Sequence, residues 1–268
     1  MSPRLIVFCD GTWNSRGDTR SDATPTNVWR LYSAIESADV ADQKGLYLHG
    51  VGSGWSSSIG KLWAALNKLT GGSLDPIFGG ASGWGLSRQV REGYSFLVRE
   101  YQPGDEIYIF GFSRGAFAAR SLVGLLKHAG LLRRDSAHEI RRVTKSYHRL
   151  LRGRRHKALL ASLRERTHYP VRVRFLGVWD TVGALGAPIW GGSFSLNPLP
   201  VAPRYHDVNA LDIVDQTFHA VAIDEKRATY APVLFEGHSW NESSRLEQVW
   251  FRGRPFGCGW RLYPIRSC

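Results

Sequence analysis

Cysteine is scarce in this chain. Its 268 residues include three, Cys9, Cys258 and Cys268. That is too few and too scattered for a disulfide framework or a CxxC metal pair, and such sparse usage suits a reducing compartment. The nine histidines show no HExxH or other zinc spacing, so neither a metal nor any other cofactor is expected. Long apolar runs are also missing. Leu5-Ile6-Val7-Phe8 meets Asp10 too soon to be the apolar core of a secretory signal, and no stretch reaches the roughly 20 residues that span a bilayer. These absences predict a protein that is cytoplasmic as synthesised, with export by a dedicated secretion system left open. There is no internal repeat and no low-complexity linker. Gly50-x-Gly52-x-Gly54 lacks the spacing of a dinucleotide fingerprint.

What the chain does contain is ample material for a core. It is 43% hydrophobic, with ten Trp, ten Tyr and twelve Phe, which excludes a disordered chain and suffices for one large domain. Twenty-nine Gly and twelve Pro indicate many tight turns. The net charge is +12, with much of the excess between Arg133 and Arg174. A solvated helical face accounts for such a run. Attraction to an anionic membrane surface or to nucleic acid is the sharper reading. Aromatic residues are not interleaved with the basic ones, so no nucleic acid partner is expected.

Apolar periodicity predicts six strands, at Leu5–Cys9, Gly45–His49, Glu106–Phe110, Val171–Trp179, Gln216–Ile223 and Leu246–Phe251. Helical spacing lies over Asn27–Ala38, Leu86–Tyr101 and Ala116–Lys127, with a patch at Lys61–Leu69 and further basic helical segments to about Arg166. Residues 184–209 read as a Pro- and Gly-rich loop. Most of the strands lack polar alternation, as strands buried on both faces do. The expected class is α/β, with a mostly parallel sheet and helices on both faces.

One motif carries chemistry. Gly111-x-Ser113-x-Gly115 follows the strand Ile107-Tyr108-Ile109-Phe110 and precedes the helix opening at Ala116. This is the setting of a nucleophile elbow, where a sharp turn lifts a serine above the sheet and the glycines avoid clashes. The following helix points its amino terminus at the place where an oxyanion forms. Ser113 is therefore the candidate nucleophile. Its orienting acid should come later in the chain from another strand end. Asp180 fits best, with Asp215 and Asp224 as competitors. The backbone N–H of Arg114 and the Gly11–Thr12 turn are the oxyanion-hole candidates. His219 is a fallback base, against the plainer reading of a satisfied histidine inside a strand. His238 reads as a turn residue. Trp55, Trp63 and Trp84 read first as packing residues and second as the lining of an acyl-chain entrance.

Several phrases together resemble one family, DUF2235, which includes the Tle1-like phospholipase effectors of type VI secretion. They are Phe8-Cys9-Asp10-Gly11-Thr12-Trp13-Asn14, Gly104-Asp105-Glu106 through Gly115-Ala116, and Gly177-Val178-Trp179-Asp180-Thr181-Val182-Gly183. His219 through Glu225 and Glu247-Gln248-Val249-Trp250-Phe251 belong to the same set. The resemblance spans residues 1–251. It implies an α/β-hydrolase fold, a Ser-Asp-His triad with Ser113 as nucleophile and Asp180 as acid, and action on ester bonds, with lipids, phospholipids above all, as substrates.

After Phe251 the pattern breaks. The family continues Gly-Val-His-Ser-Asp-Val-Gly-Gly-Gly-Tyr, and that His is the implied base. Here the chain reads Arg252-Gly253-Arg254-Pro255-Phe256-Gly257-Cys258-Gly259-Trp260-Arg261, with no His after His238. Codons beginning CGG GGG CGT CCA encode Arg252–Pro255. Deleting one G and continuing through suitable codons yields Arg-Gly-Val-His-Ser-Asp-Val-Gly-Gly-Gly-Tyr, the missing phrase. The expectation is a hydrolase domain over residues 1–251, C-terminally truncated, and an out-of-frame tail over 252–268. The functional expectation is a serine esterase or lipase whose base is missing from the chain as written. The alternative is a catalytically inactive fragment or lipid-binding pseudo-hydrolase.

Overall fold

The computed structural model describes residues 2–11, 25–38, 40–50, 82–151, 157–183, 212–225, 231–235 and 245–252. Its centre is a six-stranded sheet. The strands are β1 (Arg4–Cys9), β2 (Gln43–Leu48), β3 (Glu106–Phe112), β6 (Val173–Trp179), β7 (Val214–Ala222) and β8 (Arg245–Phe251), in the order β2-β1-β3-β6-β7-β8. Every pairing in it is parallel. The principal helices are α1 (Asn27–Ala38), α2 (Ser82–Glu100), α3 (Arg114–Ala129), α4 (Ile140–Leu151) and α5 (Lys157–Ser162). A separate antiparallel pair joins β4 (Leu131–Leu132) to β5 (Thr167–His168).

The alternation of side chains along a strand explains why helices lie on both faces. On β1, Leu5, Val7 and Cys9 enter the main core with Leu86, Val90 and Leu97 of α2 and Ala118, Leu122 and Leu125 of α3. Ile6 and Phe8 face the other way and pack with Val28 of α1 and Phe112 of β3. The strand is apolar at consecutive positions because both of its faces are covered. On the α1 face, aromatic rings meet from strand to strand, stacked at Phe8–Phe110 and Phe175–Phe218 and tilted at Phe110–Phe175. The centroid separations are 5.3 Å for Phe8–Phe110, 5.5 Å for Phe110–Phe175 and 5.4 Å for Phe175–Phe218.

The α/β class with its mostly parallel sheet is as the sequence predicts, and the six strands of that sheet differ from expectation only at their ends. β2 starts earlier than the apolar signal because Gln43 and Lys44 lie on an edge strand that is open to solvent at that point. The helix after Ser113 starts at Arg114, two residues before its apolar run. The patch at Lys61–Leu69, the loop 184–209, Trp55, Trp63, Thr12, His238 and residues 253–268 lie outside the described residues.

Candidate active site

The carboxyl edge of the sheet gathers the candidate residues. In the β1–β3 register Cys9 pairs with Gly111, and in the β3–β6 register Phe112 pairs with Trp179. One step past the second pair, Ser113 and Asp180 leave adjacent parallel strands side by side. Backbone hydrogen bonds stitch the two exits together. Ser113 N–H donates to the Trp179 carbonyl at 2.9 Å, and Val182 N–H donates to the Ser113 carbonyl at 3.3 Å. Asp215, by contrast, lies near the amino end of β7, bonded to Arg172 and Arg174 at the opposite edge. Asp224 shares the carboxyl edge but is half-buried.

Ser113 sits at φ 55°, ψ −121°, directly ahead of α3. A non-glycine residue in that region carries strain of about 1–3 kcal/mol, which persists only where the surroundings enforce it. Here the glycines do so. A Cβ on Gly111 would come within 2.6 Å of the Ala116 Cα, and a Cβ on Gly115 within 2.1 Å of the Cys9 carbonyl oxygen. The turn is tight because β1 and the start of α3 are in backbone contact. Two glycines are the only way to close it.

Asp180 also has positive φ, 42°, and is 3% exposed. Its N–H donates to the Ala220 carbonyl at 2.9 Å, and its Oδ1 accepts the Ala222 N–H at 2.6 Å. The carboxylate is thus aimed by the end of β7, the next strand in the sheet. A buried acid held by a backbone donor can orient and stabilise an imidazolium.

The turn after β1 contains a buried acid that the sequence reading treated only as part of a loop. Asp10, 1% exposed, accepts hydrogen bonds from the Gly11 N–H at 2.7 Å, the Thr26 hydroxyl at 2.8 Å and the Tyr47 hydroxyl. Burial pushes its carboxyl above the usual range against the pull of these donors. Gln89 ties down the same turn, its Nε2 donating to the Asp10 carbonyl at 3.1 Å and the His49 carbonyl at 2.8 Å. The Gly11 N–H is committed to Asp10, and Thr12, the other oxyanion-hole candidate of this turn, lies outside the described residues. Arg114 is the first residue of α3.

His219 lies inside β7, in register with Val178 and Gln248, and is 1% exposed. Both of its nitrogens are engaged. Nε2 faces the Thr181 N–H at 3.4 Å, and Nδ1 lies 3.1 Å from the Gln248 Oε1. Burial, helped by the Arg120 guanidinium, holds its pKa down at about 4. His49, the last residue of the second strand expected from the sequence, follows β2 on the same carboxyl edge, exposed, with its ring 5.1 Å from that of Tyr47. Among the described residues no group of three or more His, Cys, Asp or Glu could hold a metal.

The parallel six-stranded sheet with its helices defines an α/β-hydrolase-like domain. The comparisons narrow the class. Residues 3–261 match the type VI secretion family described as phospholipase effector Tle1-like, catalytic domain, and the chain belongs to that family. The match runs ten residues past Phe251. An uncharacterized protein of Saccharomyces cerevisiae, YEL023C, is 28% identical over 244 residues, which is 87% of this chain and 33% of that protein. The chain thus spans about a third of the length of this curated relative. A crystal structure of an uncharacterized protein from Pseudomonas aeruginosa is similar at 19% identity and a TM-score of 0.42, covering 94% of this chain and 41% of that one.

Proposed function

We propose that this chain is the catalytic domain of a serine esterase that acts on carboxylic esters, with phospholipids as its substrates. The observation that carries the reading is the strained Ser113 at the head of α3, beside a buried Asp180 held by the end of β7. Ser113 Oγ attacks the acyl carbonyl while a histidine takes its proton. Asp180 orients that histidine and stabilises its charged form. The tetrahedral oxyanion is held by the Arg114 N–H and a second backbone donor from the turn after β1. The acyl-enzyme is then hydrolysed by water with the same histidine as base, and no cofactor is needed.

The base belongs to the phrase expected after β8. β7 and β8 end in register at Ala222 and Phe251, so a loop leaving Phe251 starts on the same edge as Asp180. A reading frame shifted by one G after Arg252 supplies that histidine, and we propose that the tail after about Gly253 is out of frame. Family membership also supports delivery by a type VI secretion system. No described helix is long and apolar enough to cross a membrane.

Hydrolysis of phosphatidylcholine vesicles by the frame-restored protein tests the reading. Fatty acid release should fall by about 10³-fold or more in Ser113→Ala and Asp180→Asn. Equal release by wild type and Ser113→Ala would refute it.

A further inference from the structure

We infer that His219, Gln248 and Arg120 form a buried clamp that positions the acid-bearing turn Asp180–Gly183, with His219 acting as a neutral positioning residue and not as a base. The inference rests on the serine-esterase reading, because it assigns what holds that reading's acid in place.

The turn after β6 is tied to β7 through the Asp180 N–H and Oδ1 and to the elbow through the Val182 N–H, and Asp180 stands at positive φ. Thr181 and Val182 are held in addition by a short strap, residues 231–235. Val233 N–H donates to the Thr181 carbonyl at 2.7 Å, and Val182 forms an antiparallel bridge with Pro232. The strap is held from both sides by side chains. Arg120 of α3 donates to the Val233 carbonyl at 2.6 Å, contacts the Leu234 carbonyl at 3.5 Å, and lies 3.8 Å from the centroid of the Phe235 ring. Gln248 of β8 closes the other end. Its Oε1 accepts the Phe235 N–H at 2.9 Å, and its Nε2 donates to the Phe235 carbonyl at 3.2 Å.

His219 joins strap to turn. It meets the Phe235 ring edge-on at 5.5 Å, and its two nitrogens bridge Gln248 and the Thr181 N–H. The directions of these bonds fix the tautomer. Gln248 Nε2 donates to Phe235, so Oε1 is the end facing the ring and Nδ1 must carry the proton. Nε2 is then the acceptor for Thr181 N–H. A protonated His219 would present a second N–H to a backbone donor and would face the Arg120 cation, so the clamp works only with a neutral ring. Each member is buried or half-buried, and each explains another: Arg120 has no carboxylate partner among the described residues because its charge is spent on strap carbonyls.

Two arms test the clamp. The first is 15N NMR of the His219 ring, which should show the Nδ1–H tautomer without titration between pH 8 and about 5. An Nε2–H tautomer or an ordinary titration would overturn the assignment. The second compares Gln248→Leu with Gln248→Glu in turnover of a short-chain ester by the frame-restored protein. Loss of the acceptor in the Leu variant should lower kcat at least about tenfold with KM unchanged, and the Glu variant, which keeps an acceptor for both N–H groups but loses the donor to the Phe235 carbonyl and sets a carboxylate beside His219, should recover only part of it. A folded Gln248→Leu protein with wild-type kcat would show that the clamp positions nothing. Absence of turnover in the wild type would count against the esterase reading, and the NMR arm then decides the clamp alone.

Discussion

Gly115 is where the site is least forgiving. A methyl group there meets backbone atoms of Cys9 and Asp10, at 2.1 and 2.5 Å, and backbone cannot move aside as a flexible side chain can. Gly115→Ala should therefore cost about 3 kcal/mol or more in unfolding free energy, measured by urea denaturation. A change below about 0.5 kcal/mol would mean that β1 and α3 are not in contact as described. The spacing of Gly111, Ser113 and Gly115 is readable in the sequence because the elbow is local: strand, turn and helix follow one another within a dozen residues. Asp180 is readable for a similar reason, since it ends a strong apolar strand. The partners of Asp10 are not. Thr26 and Tyr47 lie 16 and 37 residues away, and nothing in their neighbourhoods marks them as donors to a buried acid. Gln248 is hidden in the same way: within Glu247-Gln248-Val249 it reads as one more polar residue of an edge strand.

At the scale of elements, the clamp makes the acid turn pH-sensitive. The imidazole of His219 titrates near 6.5 when unfolded and is held down at about 4 in the fold. Between those values the unfolded chain binds the proton and the native one does not. The histidine's contribution to stability is thus complete above pH 6.5 and is lost as pH falls through the folded pKa. The total is on the order of 3 kcal/mol. Wild type should lose that much more than His219→Gln between pH 7 and pH 4, by denaturant titration at each pH. Identical slopes would mean that the ring is not buried neutral. The elements themselves follow from the sequence wherever a run is apolar on both faces, as in β1, β3 and β6. They blur where the run turns polar: Gln43 and Lys44 give β2 no apolar start. The two-residue strands β4 and β5 are not predicted from the sequence, because such short segments carry no period.

For the whole molecule, the sequence indicates a parallel sheet but not its strand order. β1 lies between β2 and β3, an arrangement set by crossovers that packing decides. The basic run from Arg133 to Arg174 is partly balanced within the fold. Arg142 and Arg166 share Glu139, and Arg172 and Arg174 share Asp215. At the far end of the sheet, β8 pairs only with β7 among the described residues, and Ile223 and Trp250 are 60% and 50% exposed.

The central claim is that Ser113 is an activated nucleophile, and its most direct test is covalent labelling. The frame-restored protein, its Ser113→Ala variant and the chain as written would be treated with a fluorophosphonate and the adduct mapped by mass spectrometry. The account predicts one adduct, on Ser113, in the frame-restored protein, none in Ser113→Ala, and slow labelling or none in the chain as written. An unlabelled Ser113 in the folded, frame-restored protein would contradict it, as would an adduct that persists in Ser113→Ala.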